Sequence, residues 1–279
     1  MSNAHSRRNW LSRLVRRTPV IPVVRLHGVI AAEHRPGRLN IATVEPLLTR
    51  AFAIKSAPAV AIVINSPGGS PVQSRLISKR IRDLAEEHGK QVLVFVEDAA
   101  ASGGYFIAVA GDEIFVDPSS IVGSIGVIMA GFGFVGAIEK LGIERRVHTA
   151  GRNKSTLDPF LPEKAEDVAR IKQFELEIHQ VFIDHVKAGR RGRLKADDDV
   201  LFTGEWWTGI RGVDLGLVDA VGDLHGVLRQ RFGPDVALKH IAPKRPFFAL
   251  PRLGFSAGGV LDDIATSLDD RAWWARLGL

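Results

Sequence analysis

The chain of 279 residues contains no cysteine. That absence excludes disulfides, thiolate metal sites and cysteine nucleophiles together, and it removes any redox clue to compartment. No group of His, Asp and Glu has the spacing of a metal site, so neither a metal nor a cofactor is expected. No continuous apolar core lies near the start, so no secretory signal and no transmembrane anchor are read there. Acidic residues are missing from the first 18 positions, which hold Arg7, Arg8, Arg13, Arg16 and Arg17. These five account for most of the formal net charge of +6 and leave a nearly neutral body. A basic arm on a neutral body is not the broad basic face of a nucleic-acid binder, and no nucleic-acid partner is expected.

Trp10, Leu11, Leu14 and Val15 alternate with those arginines in a weak basic amphipathic pattern. Three readings stand: contact with an anionic membrane surface, an organelle-type presequence, or a solvated tail. The expected location is cytoplasmic, with peripheral contact at the inner membrane through this arm. Residues 118–138 carry no charge and are long enough to span a bilayer. Their five glycines and three serines read instead as a buried strand with turns.

With 46% hydrophobic and 24% charged residues, the chain has the make-up of a globular protein able to bury a core. Val- and Ile-rich runs at 20–29, 59–64 and 91–96 predict buried strands, with shorter ones at 113–116 and 124–129. Helical spacing predicts helices over 39–53, 72–88, 105–110 and 163–187, the strands at 59–64 and 91–96 each leading into a helix through a glycine turn. Strands alternating with helices predict an α/β fold with mainly parallel strands. The expected division is a basic arm (1–18), one catalytic domain (19–240), and a proline-broken tail (241–279) with an amphipathic helix over 257–274.

Two turns stand where α/β sheets place their sites. Ala100-Ala101-Ser102-Gly103-Gly104-Tyr105 presents a serine between a buried strand and a helix start, with N–H groups suited to an oxyanion. An ordinary N-cap serine is the alternative. Asn65-Ser66-Pro67-Gly68-Gly69 supplies a second glycine turn whose N–H groups can converge on the same point. The base for Ser102 is left open by the residues alone. His27 and His148 lie near strands, and Lys154 lies on a loop, where a base role requires burial or positive charge to displace its proton. Gly254-Phe255-Ser256-Ala257-Gly258 fits a nucleophile-elbow pattern, but it follows prolines and no histidine comes after it, so the match is accidental.

In order along residues 20–228, five blocks resemble the bacterial signal peptide peptidase A family: Asn65-Ser66-Pro67-Gly68-Gly69, Ala101-Ser102-Gly103-Gly104-Tyr105, Gly123-Ser124-Ile125-Gly126-Val127, Lys154-Ser155 with Pro159-Phe160, and Gly216-Leu217-Val218-Asp219. The resemblance implies a Clp protease/crotonase-like spiral of repeated β-β-α units and a serine endopeptidase with a Ser–Lys dyad. It implies Ser102 as nucleophile, Lys154 as base and Ser124 as the residue orienting the lysine. Gly103, with Gly68 or Gly69, would form the oxyanion hole. Signal-peptide remnants or unfolded polypeptides would be the substrates, and a homo-oligomeric ring the assembly. The chain departs from anchored members in lacking an apolar first helix. A crotonase-type enzyme acting on a coenzyme A thioester and a non-catalytic scaffold of the same fold are the rival readings.

Overall fold

Six strands line up side by side in parallel, the central ones apolar on both faces, and helical crossovers return the chain between them. The computed structural model describes residues 18–33, 35, 37–243 and 270–279. The basic arm, the accidental elbow at Ser256 and most of the 257–274 helix lie outside the described residues.

The strands are β1 (Val20–His27), β2 (Val29–Ile30), β3 (Arg38–Leu39), β4 (Ala59–Ser66), β5 (Gln91–Ala101), β6 (Glu113–Val116), β7 (Ile121–Gly123), β8 (Trp206–Thr208), β9 (Ala220–Val221) and β10 (Ala237–His240). The main sheet runs β10-β1-β4-β5-β6-β9, parallel throughout. The helices are α1 (Ile41–Phe52), α2 (Pro71–His88), α3 (Gly103–Ala108), α4 (Val135–Lys140), α5 (Ala165–Arg190), α6 (Asp198–Leu201), α7 (Gly209–Asp214) and α8 (Leu224–Phe232). The architecture is the Clp protease/crotonase-like α/β fold. Every residue of β4 is buried. One sheet face packs Val24, Leu26, Ile62 and Ile64 against α1, α2 and α3, and the other packs Val23, Ala61 and Val63 against α8.

Local signals set the helix bounds. Asn40 closes a capping box at the start of α1, and Ser70 followed by Pro71 opens α2. Gly89, at φ 60°, ends α2 in the left-handed conformation that glycine takes at little cost.

Three expectations need correction. The strand expected to end at Val96 continues as β5 to Ala101, because its second half finds a new partner: residues 93–96 pair with β6 and residues 99–101 with β7. The strand expected over 124–129 is displaced to β7, since Ser124 turns to φ 54° and ends the extended run. Beyond Gly126 the chain is not buried: Ile128 is 68% and Phe132 81% exposed. The long helix α5 buries only part of its apolar stripe, with Phe182 and Val186 inside and Phe174 and Val181 half exposed. Gly189, just past the end expected for that helix at 187, sits within it, packed so closely that a Cβ there would stand 2.2 Å from Val109 Cγ1. The glycine serves close packing and not termination.

Candidate active site

Adjacent parallel strands deliver the site from their carboxyl ends. β4 leads to Pro67-Gly68-Gly69, β5 to Ser102, and β7, paired with the end of β5, to Ser124. The opening residue of the first block, Asn65, ties two of these strands together. Its amide donates to Asp98 Oδ2 at 2.5 Å and its Oδ1 accepts from Ala99 N–H at 3.2 Å. Gly68 and Gly69 hold φ of 105° and 139°, where any side chain would be strained. A Cβ on Gly68 would lie 2.8 Å from Ser102 Cβ and 2.9 Å from Gly103 N, so the two turns are in contact. A Cβ on Gly69 would collide with Ile30 O at 2.0 Å, because Gly69 lies along β2 in a parallel bridge.

Ser102 stands at the N-terminus of α3 with φ 50° and ψ −119°, a conformation that costs a non-glycine residue of order 1–3 kcal/mol. Its hydroxyl makes no capping hydrogen bond, which removes the N-cap alternative. Two donors beside it are uncommitted. Gly103 is the first residue of α3 and has no intrahelical acceptor, and the Gly69 N–H has no acceptor among the described residues. The Gly68 N–H is directed at Ser66 Oγ at 3.2 Å, so Gly69 offers the freer second donor.

Ser124 shares with Ser102 a cavity of about 610 Å³. Trp206, Val127 and Ile128 supply much of its apolar wall, and Trp273, Arg276 and Leu277 close one side. Leu277 is buried against Ala99, Ala101 and Ile121, which places the 270–279 segment on the body beside the site. No carboxylate among the described residues lines this cavity. Neither His27 nor His148 lines it, but His179 does, with Nε2 3.0 Å from Ile125 O. His179 was missed in the sequence reading, although with Phe182 and Val186 it forms an i, i+3, i+7 stripe on α5 that marks it as facing inward.

Lys154 is not brought to Ser102. It is exposed in the turn after Gly151, makes no side-chain hydrogen bond or ion pair among the described residues, and lies outside the cavity lining. The chain between β7 and α5 that carries it is exposed for most of its length, with Leu141 at 72%.

The last of the five blocks braces the fold from behind. Tyr105, fully buried, donates its hydroxyl to Leu217 O at 2.6 Å, and burial, the largest influence, pushes its pKa up. Asp219 accepts two hydrogen bonds of 2.9 Å from Arg190 and one from Arg193, and also one from Ile114 N–H at 2.7 Å. Burial alone would raise the Asp219 pKa, but these guanidinium and backbone donors outweigh it and hold the carboxyl below its usual range. His185 stacks on Phe106 at 3.8 Å and donates to Phe106 O at 2.9 Å, fixing the helix that begins at Ser102.

The model of "Peptidase family S49" matches residues 85–231. A chain of Brucella abortus (strain 2308) named "Na(+)/H(+) antiporter NhaA" is 55% identical over 273 residues, covering 93% of this chain and 37% of its own length. The "Putative signal peptide peptidase SppA" of Enterococcus faecium is 31% identical over 168 residues, covering 60% of this chain and 48% of its own. The chain thus spans between a third and a half of these curated relatives. No helix among the described residues is long and apolar enough to cross a membrane. Among solved structures, the 1510-N membrane-bound stomatin-specific protease, a lysine-to-alanine variant in complex with a substrate peptide, superposes with a TM-score of 0.51. It is 17% identical and covers 81% of this chain and 94% of its own.

Proposed function

The chain belongs to peptidase family S49, and from that premise we propose that it is a serine endopeptidase in which Ser102 is the nucleophile and Lys154 the general base. One observation carries the reading: an uncommitted hydroxyl on a strained turn, with the free N–H groups of Gly69 and Gly103 beside it. That arrangement suits acyl transfer. Ser102 Oγ bonds to the peptide carbonyl carbon as its proton passes to neutral Lys154. The carbonyl oxygen gains the negative charge and is met by the two N–H donors. Collapse expels the amine, which takes the proton from the lysine, and water then hydrolyses the ester. Each oxyanion donor is worth about 3 kcal/mol in sites of this kind. The lack of carboxylates among the described residues lining the cavity favours this chemistry over thioester enolisation. The substrates proposed are unfolded polypeptides or signal-peptide remnants lying extended against the apolar wall.

The exposure of Lys154 favours a dyad completed between copies of the chain in a homo-oligomeric ring. A lysine acts as a base where burial or positive charge has displaced its proton, and a neighbouring copy is what would bury this one. Ser124, in the cavity, is then the residue that meets the lysine. The test compares wild type, Ser102→Ala and Lys154→Ala at matched oligomeric state on an unfolded protein. Cleavage by wild type alone supports the dyad. Retention of activity by Lys154→Ala removes the lysine from it, and an inert wild type favours a scaffold or thioester enzyme.

A further inference from the structure

We propose that His179 is a positioning residue for this site, fastening the turn that carries Ser124; the inference rests on the peptidase reading above. The turn from Gly123 to Gly126 is held at three points. Ser102 N–H donates to Gly123 O at 2.8 Å, Ser124 N–H donates to Glu205 O at 2.6 Å, and His179 Nε2 lies 3.0 Å from Ile125 O. The first two are backbone to backbone and are present whatever the side chains. Among the described residues, the third is the one hydrogen bond to this turn made by a side chain.

A carbonyl oxygen only accepts, so Nε2 must carry the proton in this contact. The neutral ring then has its acceptor at Nδ1, and the histidine is committed at Nε2 as a donor. It cannot at the same time use Nε2 to take a proton from Ser102, whose hydroxyl makes no hydrogen bond among the described residues. The tie matters because of what it holds. Ile125 is fully buried, and its neighbour Ser124 adopts φ 54°, in the left-handed region that residues other than glycine take uncommonly. Gly126 N–H turns back to Ser124 O at 3.0 Å, which makes the turn tight and its carbonyl direction decisive. Without His179 the Ile125 carbonyl is left buried without a partner and the turn is free to rotate it toward solvent. The Ser124 hydroxyl would move with it, and Gly123 O, the acceptor for the nucleophile's own N–H, is one residue further back.

The test compares His179→Gln with His179→Leu in the otherwise intact chain. A glutamine amide can donate from near the Nε2 position, whereas leucine keeps bulk and loses the donor. We expect His179→Leu to lose about tenfold or more in kcat with little change in KM, and His179→Gln to recover most of it. Equal activity of His179→Leu and wild type would overturn the proposal. So would a His179→Gln variant as inactive as Ser102→Ala, which would make the imidazole the base. A second readout does not depend on catalysis: amide hydrogen exchange over 123–126 should quicken in His179→Leu and not in His179→Gln. If wild type itself cuts nothing, the peptidase reading falls, and unchanged exchange in His179→Leu would overturn the tie as well.

Discussion

The turns around Ser102 and the stretch that carries Lys154 are built on opposite terms. The first stand at the ends of β4, β5 and β7, on strands whose residues are nearly all buried; Gly68 packs against Ser102, and the Ser102 N–H is bonded to Gly123 O. The second leaves the sheet after Ser124 and returns to the body only as α5 gains burial near Phe182. Between them Ile128, Phe132, Leu141 and Ile143 are all more than half exposed. One half of the proposed dyad is therefore fixed by the chain's own core, while the other is not. Apolar side chains on an otherwise polar exterior are the mark of a surface that is covered in use.

That contrast is open to attack, beginning with the largest effect. Ser102→Ala and Lys154→Ala should each lower cleavage by about 10⁴-fold or more, and the double variant should be little worse than either. Mixing the two inactive variants under conditions that exchange subunits should then restore measurable cleavage. A mixture that stays dead, with exchange demonstrated, would place both residues of each dyad on one chain.

Next in size is the anchored half. Asp219→Asn leaves Arg190, which is 1% exposed, without its carboxylate, and should destabilise the fold by about 3 kcal/mol in denaturant titrations. A loss below about 1 kcal/mol would mean that the brace behind α3 matters less than its burial suggests.

Smaller again is a pH effect at His185. Burial, chiefly, holds its pKa below the ordinary value; the bond to Phe106 O opposes this and Arg75 reinforces it. As pH falls below the unfolded value of about 6.5, the unfolded chain takes up a proton that the folded chain refuses, so stability declines. Above that value the contribution is fully present. His185→Gln should flatten the pH dependence of melting over the acid side of 6.5; an unchanged slope would assign it to other groups.

The smallest expected effect is on the exposed half. Phe132→Ser should change melting of the isolated chain by less than about 0.5 kcal/mol. Its signature should be weaker assembly in sedimentation, and a large loss of monomer stability would show that Phe132 packs on its own chain after all.

The same contrast decides what was legible in the sequence. Fully apolar runs such as Ala-Val-Ala-Ile-Val-Ile in β4 have one reading, and Ser70-Pro71 with Gly89 mark α2 without ambiguity. The motif blocks then located Ser102, Ser124 and the glycines, and the fold does bring these together. Residues 118–138, uncharged and rich in glycine and serine, read as a buried strand with turns, yet beyond Gly126 they are not buried. Apolarity reports that a surface avoids water, not which molecule covers it, so one sequence cannot tell a core strand from a contact face. His179 was passed over for a related reason, since its partner is a backbone carbonyl 54 residues away and carbonyls leave no trace in sequence. The role of Asp219 was hidden too: the block that holds it marked the family, while its ties to Arg190 and Arg193 exist only once α5 is folded against α3.

The backbone at Ser102 has a consequence for how this protein would respond to engineering. A φ of 50° with ψ near −119° is a place where glycine is at ease and serine is not. The hydroxyl is retained against the preference of its own main chain. A Ser102→Gly variant would therefore surrender activity and relax the turn together, and a search that rewards heat resistance alone would drift toward dead protein at this position.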